Sequence, residues 1–448
     1  MKLVSKYAAG AAAVLAVAAP ALALAQDAPA PVDVPAHSVY VFNTMLFLIS
    51  GFLVFFMACG FAMLEAGLVR TKNVAMQCTK NVALFSVASL MYLLVGYNMM
   101  YPGDGWMVQD WVGAIAITSL EPVGAGADAV DVTYASLGSD YYFQLMFCAT
   151  TASIVSGTLA ERIKLWPFLL FIAILTGVIY PLTASWKWGG GFLDGAGFLD
   201  FAGSTVVHAC GGAAALAGAI VLGSRIGKYK DGAIHPMPGS SLPLATLGTF
   251  ILWLGWFGFN GGSQLAAGSI GDVTDVSRIF ANTNTAAAAG GVCAAILTQM
   301  LYGKVDLTMV LNGVLAGLVS ITAEPLTPEL WQAIVIGAVG GAIIVFTVPL
   351  LDSLRIDDVV GAIPVHLFAG IWGTFIVIWT NTDAAIGAQI LGMGLIIGAT
   401  FGLSLVLFGL LRLTVGIRVS EEDELAGLDN AEIGMEAYPE FGKGSQYL

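Results

Sequence analysis

The sequence predicts an all-α polytopic membrane protein, and three observations carry the prediction. Of its 448 residues, 58% are hydrophobic and only 10% are charged, so there are too few polar side chains to cover a soluble globule that buries the rest. Mean hydropathy is +0.85, and apolar runs of about 20 residues recur along the chain, the length one helix needs to cross a ~30 Å hydrocarbon layer. Glycine is abundant, at 55 residues, which suits helices that approach closely in lipid through small side chains. Disordered, collagenous, disulfide-framed and ordinary cytosolic enzyme classes are excluded on the same grounds. The formal charge of −13 comes without basic clusters, which speaks against nucleic acid as a partner.

Residues 1–25 read as a secretory signal peptide: Lys2 and Lys6, an apolar run from Tyr7 to Leu24, and the small-residue site Ala23-Leu24-Ala25 before Gln26. The alternative, an uncleaved first membrane helix, is disfavoured because the run is short and Ala-rich. After the signal, the sequence predicts 11 transmembrane helices, centred near Val54, Ala88, Thr151, Ile172, Gly212, Leu252, Ala289, Leu315, Ile336, Ala369 and Ile397. They form a membrane domain over residues 26–415, made of two inverted five-helix repeats, about 40–225 and 240–382, and a last helix at about 385–415.

A cleaved signal leaves the new N-terminus outside, so odd-numbered helices run inward, and the Lys and Arg distribution agrees. Connections expected on the cytoplasmic side carry Arg70, Lys72, Arg162, Lys164, Arg225, Lys228, Lys230, Lys304, Arg355, Arg412 and Arg418, against only Lys187 and Arg278 outside. The longest outer connection holds Asp104, Asp110, Glu121, Asp128, Asp131 and Asp140 and no basic residue. Residues 416–448 form an acidic cytoplasmic tail, read as a docking segment or a solvated end. The small-residue strings Gly211 to Ala219 and Ala286 to Gly291 read as helix contact faces. Cys59, Cys78, Cys148, Cys210 and Cys293 lack zinc or redox spacing and read as small buried hydrophobes.

Two of the four histidines, His208 and His366, lie inside apolar spans, where an ionisable group is costly and points to function. His37 and His235 fall in Pro-containing segments expected to be solvated. The string DFAGSTVVHACGG, Asp200 to Gly212, matches DVVGAIPVHLFAG, Asp358 to Gly370, at Asp200/Asp358, Gly203/Gly361, Val207/Val365, His208/His366 and Gly212/Gly370. One copy enters the membrane from outside and the other from inside, an inverted repeat of the kind that places a substrate path between its halves. As continuous helices, eight residues rise about 12 Å, which carries both imidazoles to the midplane and sets Asp200, Ser204 and His208 on one face. A closed zinc site lacks ligands at that depth, so no metal is expected. Two neutral imidazoles that share a hydrogen bond can donate and accept along a narrow pore or relay a proton.

The second constellation is aromatic. Phe143 and Phe147 stand at i, i+4 on the third span, Trp186 and Trp188 precede the fifth, and Trp253, Trp256, Phe257, Phe259, Asn260 and Ser263 run to the outer end of the sixth. Trp186 and Trp253 read as interfacial girdle residues. A ring of π faces with a hydroxyl, beside an acidic loop, also suits a small cation that sheds its water. Glu65, intramembrane and acidic in MLEAGL, reads as a helix-packing hydrogen bonder with a possible pore role.

The strings MLEAGLVRTKNV, FQLMF, SGTLAERIKLWP, DFAGSTVVHACGGAAAL, GWFGFNGGS, GLVSITAEP, DDVVGAIPVH and RVSEEDELAGLDNAEIGMEAY resemble the bacterial Amt branch of the ammonium transporter family (Amt/Mep/Rh). The resemblance implies that Phe147, Trp188 and Ser263 bind ammonium at an outer recruitment site and that Phe147 and Phe259 gate the pore below it. It implies that His208 and His366 line that pore with Trp256 and Thr322, supported by Phe143 and by Asp200, for which plain helix capping is the alternative. It further implies transport of ammonium and methylammonium, a homotrimer in the bacterial inner membrane with the C-terminus cytoplasmic, no cofactor, and a PII-type signal protein docking on the tail. Two departures stand out, Gly361 where relatives often carry Asp, and Ile433 where they carry His.

The expected function is ammonium conduction: NH4+ is recruited outside, separated into NH3 and H+ because an apolar pore cannot hold the bare ion, and passed inward. The alternatives are an ammonium sensor with little flux, disfavoured because the tail reads as too short for an output domain, and an Rh-type gas channel, disfavoured by the Trp188/Ser263 pair. No nucleophile and base set, cofactor loop or metal cluster suggests an enzyme.

Overall fold

The computed structural model describes residues 35–441, so the expected signal peptide lies outside the described residues. The helices are α1 (Ala36–Leu68), α2 (Thr71–Met100), α4 (Leu165–Ser185), α5 (Ser204–Leu222), α6 (Leu242–Gly262), α7 (Ile270–Tyr302), α9 (Leu330–Ser353), α10 (Ile363–Thr380) and α11 (Ile386–Thr414), with α3 (Leu137–Thr158) and α8 (Leu307–Ile321) between them. Among the described residues, the first nine are long and apolar enough to cross a membrane. Every expected span centre falls inside one of these helices.

Helices α3 and α8 differ from the nine for identifiable reasons. The first is wrapped by its neighbours, with Phe143 through Thr158 buried on every side. A helix that touches no lipid has no need of a uniformly apolar surface, and Asp140, Gln144, Thr150, Thr151, Ser153 and Ser156 sit in its buried surface. The second, 15 residues long, is capped by Asp306 and ends in the C-cap Thr322.

Small residues set the packing. Added Cβ atoms at Gly248 and Gly67 would lie 2.3 and 2.4 Å from main-chain nitrogens of the facing helix, so α1 and α6 pack backbone to backbone. The two small-residue strings are contact faces. Gly313, Gly317, Gly337 and Gly341 of α8 and α9 close on Ala286 and Gly290 of α7, while Gly211, Gly212 and Gly218 of α5 meet Thr151, Leu367 and Phe408.

Part of the described tail, 416–441, packs back on the helices, while Glu421, Glu422, Leu425 and Met435 are exposed. The tail carries α12 (Glu421–Ala426) and α13 (Leu428–Glu432). Asp429 accepts from the Ala75 and Met76 amides at 3.1 and 2.7 Å, and Glu424 accepts from the Ile226 amide and from Arg418, each at 2.7 Å. Ile433, partly buried, packs against the small cluster of Met76, Val419 and Leu428. On this tail side, Arg225 grips Asp357 through Nε and Nη2, and Arg162 donates to the Asp357 carbonyl at 2.7 Å. Burial pushes the Asp357 carboxyl up, but the hydrogen-bonded Arg225 and the charge of Arg162 hold it well below the usual carboxylate range.

Trp186 is corrected. It is buried, donates its indole N–H to the Trp111 carbonyl at 2.9 Å, and packs on Trp111 and Phe192. The long acidic connection folds back over it, so this ring anchors a loop and does not sit in a lipid girdle. Trp253 is half-buried and stacks on Phe250.

A Cβ at Gly370 would lie 2.5 Å from the Ser204 carbonyl oxygen, whereas nothing lies within 4 Å at Gly398. Gly370→Ala is therefore expected to destabilise the protein by about 1–3 kcal/mol through overpacking against main chain, with Gly398→Ala within about 1 kcal/mol of wild type. Thermal unfolding of the two purified variants checks the difference.

Candidate functional site

The repeated motif folds the same way twice. Gly203 and Gly361 have φ of +104° and +81°, a left-handed conformation that favours glycine. Each turns the chain into a π-helical segment, Ser204–Ala209 or Ile363–Phe368, that carries the histidine. The aspartate stands before the turn and satisfies the bare amides of the helix start. Asp200 Oδ1 accepts from the Gly203 and Ser204 amides at 3.1 and 2.8 Å, and its Oδ2 from Thr205 and Val206 at 2.9 and 2.8 Å. Asp358 accepts from the Gly361 and Ile363 amides at 3.1 and 2.7 Å and from the Thr158 hydroxyl at 3.0 Å.

This corrects the helical-wheel expectation. The helix begins at Ser204, so Asp200 is neither on a helical face with His208 nor eight helical rises from it. Its carboxylate binds the main chain of the turn that holds the histidine.

The two π turns cross. Gly212 meets Leu367, the residue after His366, while Gly370 meets Ser204 and Ala209, the residue after His208. The imidazoles lie 3.2 Å apart between their Nδ1 atoms, with ring centroids 5.2 Å apart and planes 25° from parallel. When both rings are neutral, one Nδ1 donates and the other accepts, so the two Nε2 atoms differ in role, one protonated and one bare. His208 is fully buried, and its Nε2 has no hydrogen-bond partner. Trp256 and Phe259 stack on His208 at 5.0 and 5.2 Å, and the Trp256 indole donates to the Thr322 hydroxyl at 2.8 Å, which holds the ring in place.

Above the histidines, on the side away from the tail, Phe147 and Phe259 lie 4.1 Å apart between centroids, both buried. Beyond them opens a cavity of about 300 Å³ that includes Phe147, Trp188 and Ser263 in its lining. Trp188 meets Phe147 edge-on at 5.9 Å and donates its indole N–H to the Asp200 carbonyl at 3.0 Å. Asp200 therefore braces the cavity wall and the histidine turn together. Phe143 lies behind, edge-on to Phe147 at 4.8 Å, and does not line the cavity.

Below the pair, a small void of about 10 Å³ is bounded by Phe61, Glu65, Asn312, Val360 and His366 among others. Asn312 and Val360 also line a tail-side cavity of about 400 Å³ with Asp358 and Gly361. Asn312 occupies the space beside Gly361, where a Cβ would lie 2.8 Å from its Nδ2. Glu65 accepts from Gln77 Nε2, from Asn81 Nδ2 at 2.7 Å and from the Ser156 hydroxyl at 2.8 Å. The upper cavity, the phenylalanine pair, the histidine pair, the small void and the tail-side cavity thus follow one another through shared or touching residues. Sequence reasoning missed Asp140, Tyr101, Tyr134 and Gln144 in the upper cavity. The i, i+4, i+7 spacing of Asp140, Gln144 and Phe147 was a usable signal.

Residues 45–438 match the Ammonium Transporter Family. The ammonium transporter Amt2 of Archaeoglobus fulgidus is 43% identical, over 88% of this chain and 87% of its own. Amt2 of Haloferax mediterranei is 39% identical, over 87% and 88%. Among solved structures, a sensor Amt protein superposes with a TM-score of 0.81 at 33% identity, covering 88% of this chain and 98% of that one. Candida albicans Mep2 superposes at 0.77 and 26% identity, covering 91% and 92%.

Asp200→Ala leaves buried amide donors without an acceptor, at about 1–3 kcal/mol each. The variant is expected to lose at least about 2 kcal/mol and to unfold at a visibly lower temperature. An unchanged unfolding midpoint would show that the turn holds itself.

Proposed function

Because the chain belongs to the ammonium transporter family, we propose that it recruits NH4+ in the upper cavity, strips its proton and passes NH3 beside the paired histidines. The observation that carries this reading is the Nδ1 to Nδ1 contact of 3.2 Å between two buried imidazoles beneath a closed phenylalanine pair. Ammonium in a slot this apolar would lose its hydration without replacement, at a cost that no pair of π faces repays. Neutral NH3 meets no such penalty.

The steps follow from the residues. Phe147 and Trp188 offer π faces to the cation, and Ser263, whose own hydroxyl proton goes to the Phe259 carbonyl at 2.8 Å, offers oxygen lone pairs. Rotation of the Phe147 and Phe259 rings opens the way down. NH3 then accepts from one imidazole N–H and donates to the bare nitrogen. The released H+ binds the bare Nε2 of one ring, the shared proton crosses between the Nδ1 atoms, and the other ring gives up its Nε2 proton. One H+ is thereby relayed and the two Nε2 roles are exchanged. Thr322 fixes Trp256 along this path.

In the same reading α3 and α8 cross the membrane with the nine apolar helices, making 11 spans as two inverted repeats and a last helix. Supporting this, α3 and α8 hold equivalent third places in the two repeats. The tail side is cytoplasmic, the N-terminus is outside, and the membrane is the bacterial inner one. A homotrimer and a PII-type partner for the tail are the family's implications. A sensor reading gains from the likeness to a sensor Amt protein, and flux decides between them.

Proteoliposomes carrying the purified protein test the proposal by ammonium-evoked current and labelled methylammonium uptake. Wild type is expected to conduct, Phe147→Ala to lose about tenfold in transport at low ammonium, and His208→Ala to lose selectivity against K+. A well-folded wild type with no flux would favour the sensor, and unchanged selectivity in His208→Ala would remove the histidine relay.

A further inference from the structure

The upper cavity contains a carboxylate that neither the repeat nor the aromatic pattern assigns. Asp140, in the first turn of α3, lines it together with Gln144, Phe147, Trp188 and Ser263. Asp140 is 7% exposed and Gln144 6%. Tyr97 donates to Asp140 Oδ2 at 2.5 Å and Tyr134 to Oδ1 at 3.1 Å, so each oxygen keeps a lone pair free. Asp140 enters none of the ion pairs among the described residues. Beside it, Gln144 Oε1 is buried with no donor. A carboxylate withdrawn from water without a cation, next to a carboxamide oxygen without a proton, is an arrangement that costs free energy unless something fills it.

We propose that Asp140, with Gln144 beside it, is the charged anchor of the ammonium site; the inference rests on reading this cavity as the recruitment site. Aromatic faces attract any small cation, alkali ions included. Ammonium differs in bringing four N–H donors. Asp140, Gln144 Oε1 and Ser263 Oγ supply acceptors for three of them, which favours small protonated amines over K+. Methylammonium keeps three N–H groups and remains a ligand.

The competing role for Asp140 is to hold Tyr97 and Tyr134 in place, and the two roles predict different results for Tyr97→Phe. That change removes a donor that competes with ammonium for the carboxylate. As an anchor, Asp140 gives Asp140→Asn a KM raised about tenfold with kcat within about twofold, while Tyr97→Phe leaves KM unchanged or lower. KM in Asp140→Asn within about twofold of wild type, or raised equally in Tyr97→Phe, would overturn the proposal while leaving transport itself intact. If Asp140→Asn does not fold, Gln144→Leu is read instead, with KM expected to rise about threefold, and an unchanged KM counts against the site. If wild type shows no flux, the transport reading fails separately, and titration calorimetry of ammonium chloride into the purified protein still decides: saturable binding weakened about tenfold in Asp140→Asn supports the anchor, and no binding to wild type overturns it.

Discussion

The close crossing of two π-helical turns is the constraint on which the centre of this protein depends. A 3.2 Å contact between Nδ1 atoms requires that the backbones behind the two histidines nearly touch, and they do so at Gly212 and Gly370, where a Cβ would fall 2.6 Å from the Leu367 nitrogen and 2.5 Å from the Ser204 oxygen. A methyl group at either position would push the turns apart and open the imidazole contact. The last glycine of the repeat is thus as much part of the histidine pair as the histidines are.

A crossing of this kind can exist at membrane depth only if its broken helices satisfy their own polar groups. Each π turn leaves bare amides at its start, and each is answered by the aspartate that opens the repeat. The two halves are alike in plan and unequal in detail. Asp200 spends its carboxylate on four amides, and its carbonyl takes the Trp188 indole. Asp358 binds two amides and reaches Thr158 of α3. The first copy therefore ties the histidine to the upper cavity, and the second ties its partner to the bundle on the tail side.

Much of this was legible in the sequence. Apolar runs gave the helices, and the Asp, Gly, Val-His, Gly repeat selected two of four histidines, the two that meet; His37 and His235 are exposed. Helical periodicity misled at Asp200 because a left-handed glycine intervenes, and a π turn has no periodic signature of its own. Trp186 was misread because a tryptophan near a span end looks the same whether lipid or a folded loop covers it. Asp140 was counted with the acidic loop, since nothing local in the chain tells that α3 is enclosed on all sides and that its first turn opens on a cavity.

The tail and the void beneath His366 share one rigid element, which only the folded chain reveals. Asp429 of the tail receives the amides of Ala75 and Met76, at the start of α2. The next residue, Gln77, and Asn81 about one turn on donate to Glu65, whose side chain borders that void. Two carboxylates far apart in the sequence thus hold neighbouring residues at the start of one helix, Asp429 through its main chain and Glu65 through its side chains. A shift of α2 along its axis would strain both sets of bonds at once, so the position of the tail and the shape of the space under the histidines are fixed by the same few ångströms of helix.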